Sequence, residues 1–110
     1  GKGTMLFPAA HELTHHIREK LPAKFKAFAD FLFEQYGEQG ISVSELIAKK
    51  KAFLEEKGRI TPDMTETQAY DLAYEEVVAD ACESFLADGD AVAKIAELKA
   101  ILADNKKLLL

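Results

Sequence analysis

The sequence has few of the residues that mark disulfide-stabilised, membrane-spanning or nucleic-acid-binding proteins. Its 110 residues include one cysteine, which excludes a disulfide within the chain and suits a reducing compartment. No apolar run approaches the roughly 18 residues needed to cross a bilayer, and the N-terminus lacks the pattern of a signal peptide. The net charge of −5 argues against a general nucleic-acid surface. We therefore expect a cytoplasmic protein without nucleic-acid or membrane partners.

The three prolines and six glycines are also few, and most of them separate predicted helices. Pro8 suits the first turn of a helix over about 8–20, which Leu21-Pro22 ends. A second helix is predicted over about 22–36, ending at Gly37 and Gly40. Capping-box patterns, Ser42 with Glu45 and Thr65 with Gln68, predict a helix to about residue 57, closed by Gly58, and another to about residue 87. A last helix is predicted after Asp90 to about residue 105.

Length and composition limit how these helices can be arranged. With 48% hydrophobic residues, 110 residues support one modest core but not two. There is no internal repeat, low-complexity tract or Pro/Ser-rich linker. The prediction is an all-α fold in which residues 1–110 form a single domain, a compact bundle of about five helices.

The segment His11-Glu12-Leu13-Thr14-His15 in the first predicted helix matches the pattern HExxH. Positions i and i+4 of an α-helix lie on one face, so both imidazoles can reach one ion while Glu12 borders the same site. Two neutral imidazoles would supply two of three protein ligands for zinc, and a fourth position would hold water. The pattern therefore predicts His11 and His15 as zinc ligands and Glu12 as the base that takes a proton from that water.

A third ligand is predicted in the fourth helix, where acidic residues interrupt an apolar face. Steps of about 100° per residue place Glu76 and Asp80 in the middle of this face. The residues on it are Ala69, Leu72, Ala73, Glu76, Asp80 and Glu83. Because an unpaired buried charge costs several kcal/mol, acids placed there need a cation or a hydrogen-bonding partner. Zinc and its histidines would supply both, with Glu76 as the predicted ligand. The alternatives are that Glu75 is the ligand, or that a slight rotation of the helix leaves Glu75 and Glu76 as a solvated pair.

HExxH on one helix followed by Glu76-Val77-Val78-Ala79-Asp80, an ExxxD pattern on a later helix, resembles the gluzincin metallopeptidases. The resemblance implies a zinc-dependent metallopeptidase that hydrolyses peptide bonds with metal-activated water. It assigns zinc to His11, His15 and Glu76, the role of general base to Glu12, and to Asp80 the orientation of a ligating imidazole, expected to be that of His11. This last role agrees with the usual hydrogen bond between a metal-bound histidine and a carboxylate.

Two longer stretches, HELTHHIREKLPAKFKAFADFLFEQYG and EEVVADACESFL, look similar to metallopeptidase-like domains within large multidomain proteins of phages and conjugative elements of Firmicutes. This resemblance implies a bacterial or phage-encoded chain that is a fragment of a larger parent polypeptide and acts on a protein or peptide. The chain departs from the best-known gluzincins because about sixty residues separate His15 from Glu76. These residues must fold back as extra helices.

A second departure concerns the substrate cleft. Zincin proteases generally place a β-sheet before the HExxH helix, and its edge strand pairs with the extended substrate. Here residues 5–7 leave room for one short strand at most. The competing prediction is a non-catalytic helical interaction module within a larger mobile-element protein, with or without zinc.

A fourth protein ligand would favour that module, because closed coordination removes the water position. His16 and Cys82 carry suitable donor atoms. Helix geometry turns both away from the other ligands, so His16 is predicted at the surface and Cys82 as a small buried hydrophobic residue.

Overall fold

A computed structural model describes the backbone of residues 7–108 and the side chains of residues 9–103. Within this range the chain forms five α-helices and no strand. The helices are α1 (Phe7–Lys20), α2 (Pro22–Glu38), α3 (Val43–Glu56), α4 (Glu66–Ala87) and α5 (Ala91–Leu108). The predicted all-α bundle is confirmed, with HExxH on the first helix and ExxxD on the fourth. No described helix has the length and apolarity that crossing a membrane requires.

Side-chain caps define the starts of three helices. At α4 the Thr65 hydroxyl accepts from the backbone N–H of Gln68 (3.0 Å), and the Gln68 side chain accepts from the backbone N–H of Thr65 (2.9 Å). This is the complete capping box predicted there. Ser42 supplies a simpler cap to α3 by accepting from the N–H of Glu45 at 3.3 Å. At α5, one oxygen of Asp90 accepts from two backbone N–H groups of the first turn, at 3.1 and 3.2 Å.

Two details at helix ends differ from the sequence prediction. Gly37, expected to help stop α2, lies inside the helix, and the chain turns at Gly40 with a φ of +74°. Only a residue without Cβ adopts that conformation at little cost. Phe7, considered for a short strand, is the first residue of α1, while Met5 and Leu6 lie outside the described residues.

The central helix is α4, which contacts each of the other four helices. Its buried residues are Ala69, Ala73, Glu76, Val77, Val78, Ala79, Ala81, Cys82 and Leu86. All of these except Glu76 and Ala79 belong to two hydrophobic clusters, one shared with α1, α2 and α5 and the other with α3 and Ile60 of the α3–α4 loop. The residues between the two sequence motifs thus fold back as α2 and α3, as expected, and α1 packs directly against α4.

The cluster between α3 and α4 gives a direct test of what holds this part of the fold together. Leu54 is 1% exposed there, whereas its neighbour Phe53 is 49% exposed, with the amines of Lys50 and Lys57 5.4 and 5.6 Å from its ring. We expect Leu54→Ala to lower the free energy of unfolding by about 2–5 kcal/mol, because it leaves a cavity. Phe53→Ala is the matched control and should cost less than about 1 kcal/mol. Chemical denaturation measures both, and equal losses would contradict this packing.

Candidate metal centre

Helix α1 places its two motif histidines at the edge of its contact with α4. Ala10, Thr14 and Ile17 are at most 2% exposed and form the stripe that packs inward. The Thr14 hydroxyl donates to the carbonyl of Ala10 at 3.2 Å, so this buried polar group is satisfied. His11 and His15 each follow a stripe residue by one position, and their rings lie 4.9 Å apart. The two imidazoles therefore share a partly exposed face beside the interface, as the i, i+4 spacing predicts.

Both imidazoles point at one carboxylate of α4. Nε2 of His11 is 3.1 Å from Oε1 of Glu76, and Nε2 of His15 is 3.2 Å from Oε2 of the same group. The three candidate ligand atoms all lie within 4.8 Å of one another. The structure thus brings three predicted ligands from two distant segments close enough to hold a metal ion.

Each nitrogen–oxygen pair in this arrangement needs a hydrogen-bonding proton or a metal ion between its two atoms. Glu76 is only 5% exposed, and its two oxygens face the Nε2 atoms of His11 and His15. If neither Nε2 carried a proton, the nitrogen lone pairs would repel the carboxylate oxygens. A proton or a metal ion removes the repulsion. For a tetrahedral zinc with bonds of 2.0–2.1 Å, neighbouring nitrogen and oxygen ligands are separated by about 3.3 Å. The separations of 3.1 and 3.2 Å run to different oxygens of Glu76 and are also hydrogen-bond distances, so the types of donor atom, more than these distances, fit zinc.

The outward nitrogens of both rings are held by other carboxylates of α4. Nδ1 of His15 lies 2.5 Å from Oε2 of Glu75, and Nδ1 of His11 lies 2.5 Å from Oε1 of Glu83. Glu75, the alternative ligand considered from the sequence, therefore contacts the side of His15 opposite to Glu76. Each ring has one nitrogen on an orienting carboxylate and the other at the candidate metal position, which is the usual arrangement around metal-binding histidines.

Asp80 also lies near His11, but its carboxylate is farther from the ring than that of Glu83. Its Oδ1 is 3.9 Å from Nδ1 of His11, too far for a hydrogen bond. Its Oδ2 instead binds Nζ of Lys50 on α3 at 2.7 Å. The structure therefore does not place the Asp80 carboxylate in the orienting contact expected for it, because Glu83 takes that contact. In the sequence, the only indication of a role for Glu83 was its position on the same helix face as Glu76 and Asp80.

Three basic side chains accompany the acidic cluster. Arg59 donates from Nη2 to Oε2 of Glu76 at 3.3 Å, and Nε of Arg18 is 3.9 Å from Oε1 of Glu75. Lys50 at Asp80 is the third. Their charges offset part of the cost of crowding carboxylates at a helix interface. Sequence periodicity gave no signal for Arg59, because it belongs to the α3–α4 loop and not to a helix face.

The electrostatics at His11 favour a positive charge. Burial lowers the pKa of His11, but the hydrogen bonds with Glu83 and Glu76 and the charges of both carboxylates together outweigh it, so the pKa lies above its ordinary value of 6.5. Carboxylates that stabilise a positive imidazolium also attract a bound cation. The surroundings of this ring are therefore suited to either a proton or a metal ion.

The remaining predicted residues lie away from the ligand cluster or at its border. Glu12 and His16 are exposed on α1. Cys82 is 0% exposed within the apolar cluster, and burial raises the pKa of its thiol to about 11. Among the described side chains, the groups able to hold a metal are His11 with His15 and Glu76, and His11 with Asp80 and Glu83. Neither group contains His16 or Cys82, so neither residue closes the coordination.

The site is defined by contacts between α1 and α4 that join residues far apart in sequence. Its three candidate ligands, the two carboxylates behind the histidines and the exposed Glu12 all come from these two helices. Comparison of the chain with protein-family models, curated proteins and solved structures found no match.

Proposed function

We propose that this protein is a zinc-dependent metallopeptidase of the gluzincin type, in which His11, His15 and Glu76 hold the metal. The observation that supports the proposal most strongly is the convergence of two imidazole Nε2 atoms on the two oxygens of one nearly buried carboxylate, at 3.1 and 3.2 Å.

The donor set favours zinc over harder cations. Two imidazoles and one carboxylate are a common set for catalytic zinc, whereas magnesium and calcium prefer oxygen ligands alone. Three protein ligands leave a fourth position for water, and the absence of His16 and Cys82 from the described metal-holding groups agrees with an open site. This openness supports catalytic zinc over a structural zinc.

Glu12 is the proposed general base. It follows His11 by one residue, borders the ligand face and is exposed, so its carboxylate is accessible to water and to a substrate. Zinc, when bound, polarises the scissile carbonyl and acidifies the attacking water. Glu12 accepts the proton of that water and delivers it to the leaving amine, so the peptide bond breaks without a free amide anion.

One observation favours a second candidate function. The described residues contain no β-strand, so this part of the chain offers no edge with which an extended peptide could pair. A non-catalytic helical module within a larger mobile-element protein, with or without zinc, would need no such edge. We rank the interaction module second because it gives no role to Glu12, which is next to the ligand His11 in the sequence.

The proposal is tested by incubating the zinc-loaded protein with the peptides of a casein digest and identifying new termini by mass spectrometry. We expect cleavage that 1,10-phenanthroline abolishes and added zinc restores. Zinc bound at one equivalent without any cleavage would overturn the peptidase proposal and favour the interaction module.

A further inference from the structure

We propose that Glu83 is the positioning residue that orients His11 for zinc, and that Asp80 serves instead as the ion-pair partner of Lys50. This inference rests on the proposed zinc site. It replaces the assignment drawn from the ExxxD pattern with one drawn from this chain's own contacts.

The distances separate the two carboxylates clearly. Oε1 of Glu83 is 2.5 Å from Nδ1 of His11, a short hydrogen-bonding contact with a charged acceptor. Oδ1 of Asp80 is 3.9 Å from the same nitrogen, outside hydrogen-bonding range. Only the first contact can hold the N–H of the ring in a fixed direction.

The hydrogen bond with Glu83 selects the ring tautomer that zinc requires. A neutral imidazole carries one N–H, so donation from Nδ1 leaves a lone pair on Nε2. That Nε2 is the atom directed at Glu76, at 3.1 Å. Glu83 therefore fixes both the tautomer and the direction in which His11 presents its donor atom.

Helix geometry explains why Asp80, which is closer to Glu76 in sequence than Glu83 is, lies farther from the His11 ring. Relative to Glu76 on α4, Glu83 is seven residues on and lies about 20° to one side, whereas Asp80 is four residues on and lies about 40° to the other. Ala73 and Val77 lie on the Asp80 side and pack in the cluster shared with α3. Glu83 therefore turns toward α1 and Asp80 toward α3.

The environment of Asp80 gives its carboxylate another partner. Nζ of Lys50 lies 2.7 Å from Oδ2, and the Lys50 side chain is 23% exposed, so this pair is partly shielded from water. It joins α3 to α4 beside the site. An Asp80 carboxylate held in this way is drawn toward α3, whereas the Glu83 carboxylate is hydrogen-bonded to Nδ1 of His11.

The test compares Glu83→Ala, Glu83→Gln and Asp80→Asn with the unaltered chain. Zinc affinity is measured by competition with a chromophoric chelator, using the metal alone as the ligand. We expect Glu83→Ala to weaken zinc binding about 10- to 100-fold. Glu83→Gln should recover part of the loss, because its amide oxygen still accepts from Nδ1. Asp80→Asn should change zinc affinity less than about threefold, since the effect of the Asp80 charge on the metal is indirect.

A second readout separates positioning from a general structural role. In the zinc-loaded protein labelled with ¹⁵N-histidine, we expect a downfield, slowly exchanging Nδ1 proton of His11. It should persist in Glu83→Gln and Asp80→Asn and disappear in Glu83→Ala. Circular dichroism confirms that each variant is folded to the same helical content.

The outcomes distinguish this inference from the proposal on which it rests. If the unaltered chain binds one zinc but Glu83→Ala keeps both its affinity and the downfield proton, the Glu83 assignment is overturned and the zinc site stands. If Asp80→Asn causes the larger loss, Asp80 is the positioning residue after all. If the unaltered chain binds no zinc, both fail together.

Discussion

Glu76→Ala is expected to weaken zinc binding by on the order of hundredfold or more, because it removes the one anionic ligand of the three proposed. Glu76 faces both histidines and is nearly buried, so its removal takes away the one carboxylate that lies opposite both Nε2 atoms. Elemental analysis gives the stoichiometry, and chelator competition gives the affinity.

Asp71→Ala is the matched control for this substitution. It also removes one carboxylate from α4, but from an exposed position away from the ligand cluster, and it should leave zinc affinity unchanged. Glu75→Ala distinguishes the two adjacent glutamates, since Glu75 contacts the other nitrogen of His15 and should cause a smaller loss. Full zinc affinity in Glu76→Ala together with its loss in Glu75→Ala would show that Glu75 is the ligand.

Glu12→Gln should abolish peptide hydrolysis while leaving one zinc per chain. Glutamine keeps the size of the side chain but cannot take a proton from water, and loss of a general base typically lowers a rate by about 10²- to 10⁴-fold. Because Glu12 is absent from the described groups able to hold a metal, zinc affinity should stay within about threefold of the unaltered protein. The measurement is the rate of cleavage of a casein-digest peptide at equal zinc loading.

Glu19→Gln serves as the control, because Glu19 is an exposed carboxylate on the same helix, and it pairs with the neighbouring Lys20 at 3.5 Å. It should retain the rate of the unaltered protein. Undiminished cleavage by Glu12→Gln would show that another group is the base. Loss of zinc from Glu12→Gln would instead give Glu12 a role in holding the metal.

The helices were predictable because their signals are local. Thr65 and Gln68 form the predicted capping box, and Gly58, with a φ of +75°, lies where α3 was expected to end. The closeness of Glu76 to both histidines also follows from sequence, since a carboxylate on an inward helix face needs a cationic or hydrogen-bonding partner. Gly37 was misread because a glycine within a helix and one that ends a helix look alike without tertiary context.

The finer contacts of the site depend on which neighbour packs against each side of α4. Glu83 and Asp80 lie on the same predicted face and differ by about 60° around the helix. Periodicity alone therefore could not show that one turns toward α1 and the other toward Lys50 on α3. Arg59 lies in a loop, where no period applies, and its contact with Glu76 arises only when α3 and α4 are assembled.

The central claim is that His11, His15 and Glu76 form a zinc site, and metal analysis of the unaltered protein tests it most directly. The protein is purified without added zinc, then loaded with zinc and dialysed, and its metal content is measured at each stage by elemental analysis. The account predicts one zinc per chain after loading, absent from His11→Ala treated in the same way. No bound zinc after loading, or one equivalent retained by His11→Ala, would contradict it.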